Sequence, residues 1–304
     1  MNLVEQFDTG DYDAPSIRAR FPPQPFSSLV QVDAAGLSHT GLVRKRNEDH
    51  FFVGRFGRFF DTLQSNLPAD SIESHSQEVG WAMGVADGMG GASAGQEASR
   101  LAILSLINLV LNTPDWILRL DDDVMPQEVM MRASERYVLI NQRLIEQALE
   151  VPGLTGFGTT LTCAYSVGRD LFVSHVGDSR AYLFRDGALR QLTRDHTMVQ
   201  SLLDQAIISP KEAATHHLRH VLTQALGDTG ADIRADVCQT TLADGDAVML
   251  CTDGLSETVA EKEIRDALMR GDEAATTCQH LIDRALAAGG PDNVTVALAR
   301  YRFP

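Results

Sequence analysis

The sequence predicts an α+β fold, a central antiparallel β-sandwich flanked by pairs of helices on both outer faces. Short runs rich in Val and aromatic residues follow one another as hairpins do. Helical periodicities come in pairs rather than singly between strands, which is not the alternation of βαβ winding. The 304 residues, 44% of them hydrophobic, suffice for a full core in one large domain or two small ones. No internal repeat is present.

Residues 1–33 carry Pro15, Pro22, Pro23 and Pro25 without apolar periodicity, and read as an extended tail before a domain spanning 34–304. Strands are expected near 31–38 and 50–53. An insertion at 54–80 follows, in which Phe59, Phe60 and Leu63 suit a short packed helix and the Ser/Glu-rich remainder a loop. Residues 94–112 read as a helix whose apolar face holds Ala98, Leu101, Ala102, Leu104, Ser105 and Leu109. A second helix is expected over 126–150, with Pro126 in its first turn and Val129, Ala133, Tyr137, Ile140 and Leu144 on one side. Strands follow at about 159–167, 171–176, 181–185 and 188–192, with Asp186-Gly187 as the turn between the last two. Short helical pieces fill 196–220, one starting at Pro210. Strands near 233–241 and 246–251, helices near 256–269 and 272–287, and a strand at 294–302 complete the chain.

Carboxylates stand at four strand ends, in NEDHFF, WAMGVADGMGG, AVMLCTDGLSE and GGPDNVTVALA. An Asp-Gly after a strand is ordinarily a turn. After Asp87-Gly88 and Asp253-Gly254, however, the next element reads as a helix, so neither is a two-residue hairpin. If the strand ends converge, Asp49, Asp87, Asp253 and Asp292 point into one small volume. Two carboxylates ~4 Å apart repel by roughly 4 kcal/mol at an effective dielectric near 20, so such a group needs protons or cations. All-oxygen ligands suit Mg²⁺ or Mn²⁺. Arg44, just ahead of Glu48 and Asp49, has a planar fork that can hold a phosphate. Acids, metal and arginine together suit water attack on a phosphorus centre.

Several other classes are disfavoured. A net charge of −15 argues against nucleic acid as the main partner. GxxxxGK and GxSxG are absent, which leaves a Walker-type nucleotide site and a serine hydrolase unsupported. No apolar stretch is long enough to span a bilayer, and the first residues do not read as a signal peptide. Cys163, Cys238, Cys251 and Cys278 show no CxxC pairing and suit free thiols in a reducing, cytoplasmic compartment. Asp121, Asp122 and Asp123 read as a helix N-terminal feature rather than a ligand set. His216, His217 and His220 have zinc-like spacing, but a polar helix face is the preferred reading.

Seven segments occur in order: GLVRKRNED, VADGMGG, GTTLTCAYS, VSHVGDSRAYLFRDGALRQLTRDH, HLRHVLTQALGD, LCTDGLSE and GGPDNVTV. On these the chain resembles the PP2C (PPM) family of metal-dependent protein serine/threonine phosphatases, in its bacterial form, over about 36–302. The resemblance implies two Mg²⁺ or Mn²⁺ ions, with Asp87 bridging both. Asp253 and Asp292 complete the first; Asp49 and the Gly88 carbonyl hold the second. Glu48 is implied as an outer or alternate ligand, Arg44 as the phosphate-binding arginine, and Asp178 with Asp253 as the holders of a weaker third ion. Residues of about 197–226 correspond to a flap beside the site. The implied substrates are phosphoserine and phosphothreonine proteins, and the implied counterpart is a bacterial-type kinase. Met89 stands where animal members carry a His, so the resemblance assigns no acid to the leaving group. A catalytically silent phosphoprotein-binding scaffold and a small-molecule phosphatase are the alternatives.

Overall fold

The computed structural model describes residues 25–68, 72–90, 94–112, 125–151, 153–154, 156–230 and 233–304. Two antiparallel sheets stack face to face. One orders β1 (Gln31–His39), β11 (Val294–Arg302), β10 (Ala247–Cys251), β7 (Arg180–Arg185) and β8 (Ala188–Gln191). The other orders β2 (Asp49–Asp61), β3 (His75–Met89), β5 (Leu161–Val167), β6 (Asp170–Val176) and β9 (Asp236–Thr241), with β4 (Gly158–Thr159) paired to the end of β3.

Strand alternation assigns each side chain to a layer. Val248 and Leu250 of β10 and Ala297 and Ala299 of β11 meet Met83 and Val85 of β3 and Leu171 and Val173 of β6 between the sheets. The alternate residues Met249, Cys251, Val296 and Leu298 face outward onto α6 (Asp253–Ser256), α7 (Glu261–Met269) and α8 (Ala274–Ala287). Both faces of β10 and of the middle of β11 are therefore covered, and Ala247–Cys251 and Val296 to Ala299 read as continuous apolar runs. On the other outer face lie α2 (Ala94–Asn112) and α3 (Met125–Glu150), whose Tyr137, Ile140 and Leu144 are buried against the sheet. The Tyr137 hydroxyl donates to the Ser174 carbonyl at 2.9 Å, so its polar end is satisfied within the apolar layer.

Several expectations need correction. The stretch at 54–80 is not a packed helix and a loop: β2 and β3 extend into a hairpin whose register runs from Asp49↔Asp87 out to Asp61↔His75. Beyond Gly80 it has no β5 partner, and Phe59, Phe60 and Leu63 are exposed. The spacing of Val53, Phe56 and Phe60, three and then four residues, is a helical one, and pairing with β3 overrides it. The span read as a tail includes α1 (Phe26–Leu29), which buries Ser27 and stacks Phe26 on Phe303. Residues 1–24 lie outside the described residues, as does the acidic run at 121–123. On α2 the buried residues are the small Ala98, Ser99, Ala102 and Ser105 with Ile103 and Leu106, while Leu104 is exposed. Six residues from Ala98, Leu104 falls about 120° off that face. The helix expected over 256–269 starts only at Glu261 as α7, with the short α6 ending at Ser256 before it. Asp186-Gly187 makes the expected tight turn, with φ of 51° and 76°.

Candidate metal centre

The parity that sends Met83 and Val85 into the core continues to Asp87, and that of Phe51 and Val53 runs back to Asp49. These two acids face each other across β2 and β3 at the end of the inter-sheet layer. The antiparallel partners in the other sheet end at the same place, so Asp253 just after β10 and Asp292 just before β11 arrive from the opposite side. Asp178 enters from the loop before β7. Asp87, Asp178, Asp253 and Asp292 line one cleft of ≈ 980 Å³ with Arg44, Glu48 and Gly88, while Asp49, opposite Asp87 in the strand pair, is buried. A separate apolar cavity of ≈ 350 Å³ between the sheet and α2/α3 holds none of these carboxylates.

Backbone contacts hold the acids in place. The Asp87 amide donates to Thr160 Oγ1 at 2.9 Å, and its carbonyl accepts from Thr159 Oγ1 at 2.8 Å. Thr252 and Thr295, at the inward-facing ends of β10 and β11, donate to Asp49 Oδ2 at 2.8 and 2.7 Å. Asn293 is the clamp that sequence reasoning missed. It accepts from the Glu48 amide at 2.7 Å and donates to the carbonyls of Thr40 and Arg46 at 2.8 Å each, closing the loop that carries Arg44. Gly41 in the same loop has φ +81° and lies against the Asp292 backbone, a conformation that disfavours a side chain. The signal for Asn293 was its place beside Asp292 in PDNVTV; a carboxamide, unlike a carboxylate, both donates and accepts.

The electrostatics are those of an acid cluster held out of water. Burial pushes the Asp49 carboxyl up to about 7, against the two threonine hydroxyls. Burial and then the neighbouring Asp253 take Asp178 up to about 8. Burial, with Glu257 and Asp292 next, takes Asp253 up to about 6. Asp87 is raised well above the carboxylate range by burial and then by Asp49, Asp253 and Asp178. Burial also raises Glu48, whose Oε2 turns toward Gly95. Arg44 Nη2 lies 2.6 Å from Asp292 Oδ2, and that bond raises its pKa; the guanidinium is 57% exposed at the cleft mouth.

The donor set fits divalent cations. Asp49 Oδ1 and Asp253 Oδ1 are buried without a hydrogen-bond partner, although buried carboxylate oxygens are ordinarily satisfied. Gly88 leaves no room for a Cβ between Gly95 and Glu48, so the chain passes the cluster as bare backbone. The histidines behave otherwise than their spacing suggested. Residues 214–220 form turns rather than a helix, His216 and His217 stack at 4.6 Å, and His220 alone turns to the cleft. In this flap α4 (Met198–Asp204) and α5 (Pro210–Ala213) are the helical pieces, with Ser209 and Glu212 forming a capping box around Pro210.

The shifts fix the sign of a pH effect. Asp253, Asp49 and Asp178 titrate in the fold above the ordinary 3.8, so the folded chain keeps protons that the unfolded chain has released. Their contribution to stability is full below that value and is lost as pH rises through about 6, 7 and 8. In chelator, Tm is expected to fall between roughly pH 5 and 9, and Mn²⁺ should flatten the fall by favouring ionised carboxylates. A chelated Tm that climbs across this window in differential scanning fluorimetry contradicts the assignment.

Comparisons with known proteins point the same way. The family model described as Protein phosphatase 2C matches residues 63–288. The serine/threonine protein phosphatase PstP of Mycobacterium tuberculosis (strain ATCC 25618 / H37Rv) is 37% identical over 265 residues, which is 87% of this chain and 44% of that protein. This chain thus spans less than half the length of that relative. Serine/threonine phosphatase stp of Listeria monocytogenes serotype 4b (strain F2365) is 33% identical over 214 residues, 70% of this chain and 82% of the relative. The crystal structure of Mycobacterium tuberculosis PstP/Ppp superposes with a TM-score of 0.71 at 35% identity, covering 89% of this chain and 99% of that one. The catalytic domain of PstP in complex with two manganese ions gives 0.70 at 33% identity, covering 90% and 99%.

Proposed function

This chain belongs to the protein phosphatase 2C family, and we propose that it hydrolyses phosphoserine and phosphothreonine esters of proteins with two Mg²⁺ or Mn²⁺ ions. The observation that carries the reading is the pair of unpartnered, buried carboxylate oxygens on Asp49 and Asp253, in the acid cluster whose Asp87, Asp253 and Asp292 line a cleft with an exposed arginine at its mouth.

Asp87 would be shared by both ions, with Asp253 and Asp292 at the first and Asp49 and the Gly88 carbonyl at the second. Glu48 would stand beside the second, and Asp178 with Asp253 would hold a weaker third. When bound, the two cations supply an activated water as nucleophile and neutralise charge developing at phosphorus. Arg44 binds the phosphoryl oxygens, exchanging its contact with Asp292 for a charge-assisted pair to substrate. Asn293 and the two threonines keep the arginine loop and Asp49 from drifting as charge enters the site. Met89 at the end of β3 cannot donate a proton, so leaving-group protonation falls to another group.

The wider setting belongs to the same proposal. All four cysteines are free, and Cys163, Cys251 and Cys278 are buried, which suits a reducing, cytoplasmic compartment. No described helix is long and apolar enough to cross a membrane. The opposing enzyme is then a bacterial-type protein kinase, and its phosphoproteins are the substrates.

Mn²⁺-dependent turnover of p-nitrophenyl phosphate, followed by phosphothreonine against phosphotyrosine peptides, is the direct test. Absence of turnover at saturating Mn²⁺ leaves a phosphoprotein-binding scaffold, and turnover of nucleotides but not peptides leaves a small-molecule phosphatase. Arg44→Ala is expected to raise KM for a phosphopeptide about 10- to 100-fold with a smaller change in kcat, since a hydrogen bond to a charged group contributes roughly 1.5–3 kcal/mol. An unchanged KM removes Arg44 from substrate binding.

A further inference from the structure

We infer that the flap contributes a nitrogen ligand to this centre: His220, with Asp253 and Glu257, forms a site for a transition-metal cation such as Mn²⁺ or Zn²⁺ in preference to Mg²⁺. The inference rests on the metal-dependent reading above through Asp253, which the two share, and extends it to two residues that reading does not use.

The three side chains each offer a ligand atom, and these lie within 4.8 Å of one another. Cis and trans ligands around an ion at ~2.1 Å stand about 3 and 4 Å apart, so a small contraction closes the site. His220 Nδ1 is already 3.0 Å from Glu257 Oε1. Asp253 opens α6 and Glu257 caps it one turn later, with the Glu257 amide on the Asp253 carbonyl at 2.8 Å. Their i, i+4 spacing sets both carboxylates on one face. Asp253 Oδ1 is buried and unpartnered, so this cluster contains an oxygen that no protein donor satisfies.

His220 is held where the two ends of the flap meet. The next residue, Val221, accepts at its carbonyl from the Met198 amide at 2.8 Å, and Leu222 bridges to Thr197. The imidazole thus projects from the point where the flap rejoins the sandwich. A nitrogen donor beside two carboxylates favours a borderline ion over Mg²⁺, which prefers oxygen. Loading this position ties the flap to α6 and narrows the cleft from the side where Arg219 and His220 line it.

Pulsed EPR of the full chain with Mn²⁺ tests this without using activity. A directly bound imidazole gives ¹⁴N modulation, whereas the carboxylate pair is an all-oxygen environment and gives none. The free-ion signal counts bound Mn²⁺ in parallel. The wild type is expected to show ¹⁴N modulation that survives excess Mg²⁺. His220→Ala should abolish it, and Glu257→Gln should weaken its Mn²⁺ affinity at least about tenfold. Half-exposed His220 tolerates replacement, and an unchanged circular dichroism spectrum confirms folding. No ¹⁴N modulation in saturated wild type, or modulation persisting in His220→Ala, overturns the site. Loss of the oxygen-only ions in the count instead overturns the dimetal reading, so the two failures are distinguishable.

Discussion

Asp87→Asn is expected to reduce phosphatase turnover at least ~10³-fold while the protein remains folded. The argument for lost activity is electrostatic: several kcal/mol of charge stabilisation depend on the bound cations, and each 1.36 kcal/mol is a factor of ten in rate. The argument for an intact fold is that Asp87 is fixed by its backbone. Its amide and carbonyl bind Thr160 and Thr159, and Asn keeps both contacts. A second consequence runs opposite to the usual effect of a core substitution. Asp87 lies among Asp49, Asp253 and Asp178, and those neighbours and burial all disfavour its charge. Removing one carboxyl from that group should raise Tm in chelator by about 2–4 °C, the equivalent of roughly 1 kcal/mol in a domain of this size. The Mn²⁺-induced rise in Tm should shrink at the same time. Turnover within tenfold of wild type, or a variant less stable in chelator, contradicts this account of Asp87.

Gly88→Ala is expected to damage both stability and activity, for a steric reason. A Cβ there overlaps the Gly95 carbonyl and lies 2.7 Å from the Glu48 carbonyl oxygen. All of these obstacles are backbone, so no rotamer change relieves them. The Glu48 carbonyl also accepts from the Gly88 amide at 3.2 Å and from Ser99 Oγ at 2.5 Å, so displacing it loosens the start of α2 and the loop before β2 together. Overpacking of this kind costs about 1–3 kcal/mol, and a shift of an ångström at a reacting centre can lower the rate about 100-fold. Gly95→Ala is the control from the facing side, since its Cβ would meet Gly88 at 2.8 Å. Thermal denaturation and steady-state kinetics of the two variants, with Mn²⁺ present, measure both effects. Wild-type stability and turnover in Gly88→Ala would mean that the close passage of β3 and α2 is not required.

The pattern of strands and helices was legible because each layer writes its own period into the chain. The apolar run Ala247–Cys251 marks β10, Val296 to Ala299 marks the middle of β11, and the 3.6-residue spacing of Tyr137, Ile140 and Leu144 marks α3. The stretch at 54–80 was not legible. Phe59 and Phe60 are compatible with a helix or a strand, and only the β3 partner 15 or more residues away selects the ribbon. His220 was equally hidden. Its neighbours His216 and His217 suggested a helical face, whereas its contact is with Glu257, 37 residues later in the chain.

What the sequence alone determined is the chemistry on offer. Acids stand at strand ends with Gly or Asn beside them, an arginine precedes them, and the order of segments marks the family. Tertiary structure decided which oxygens are buried and unpartnered, that Asn293 closes the arginine loop, and that the flap brings an imidazole to Asp253. The division has a physical cause. Alternation along a strand is a local property of the backbone, so it can be read from residue types. Burial and proximity depend on how two sheets stack and where a loop returns, and those arise only when segments distant in the chain pack together.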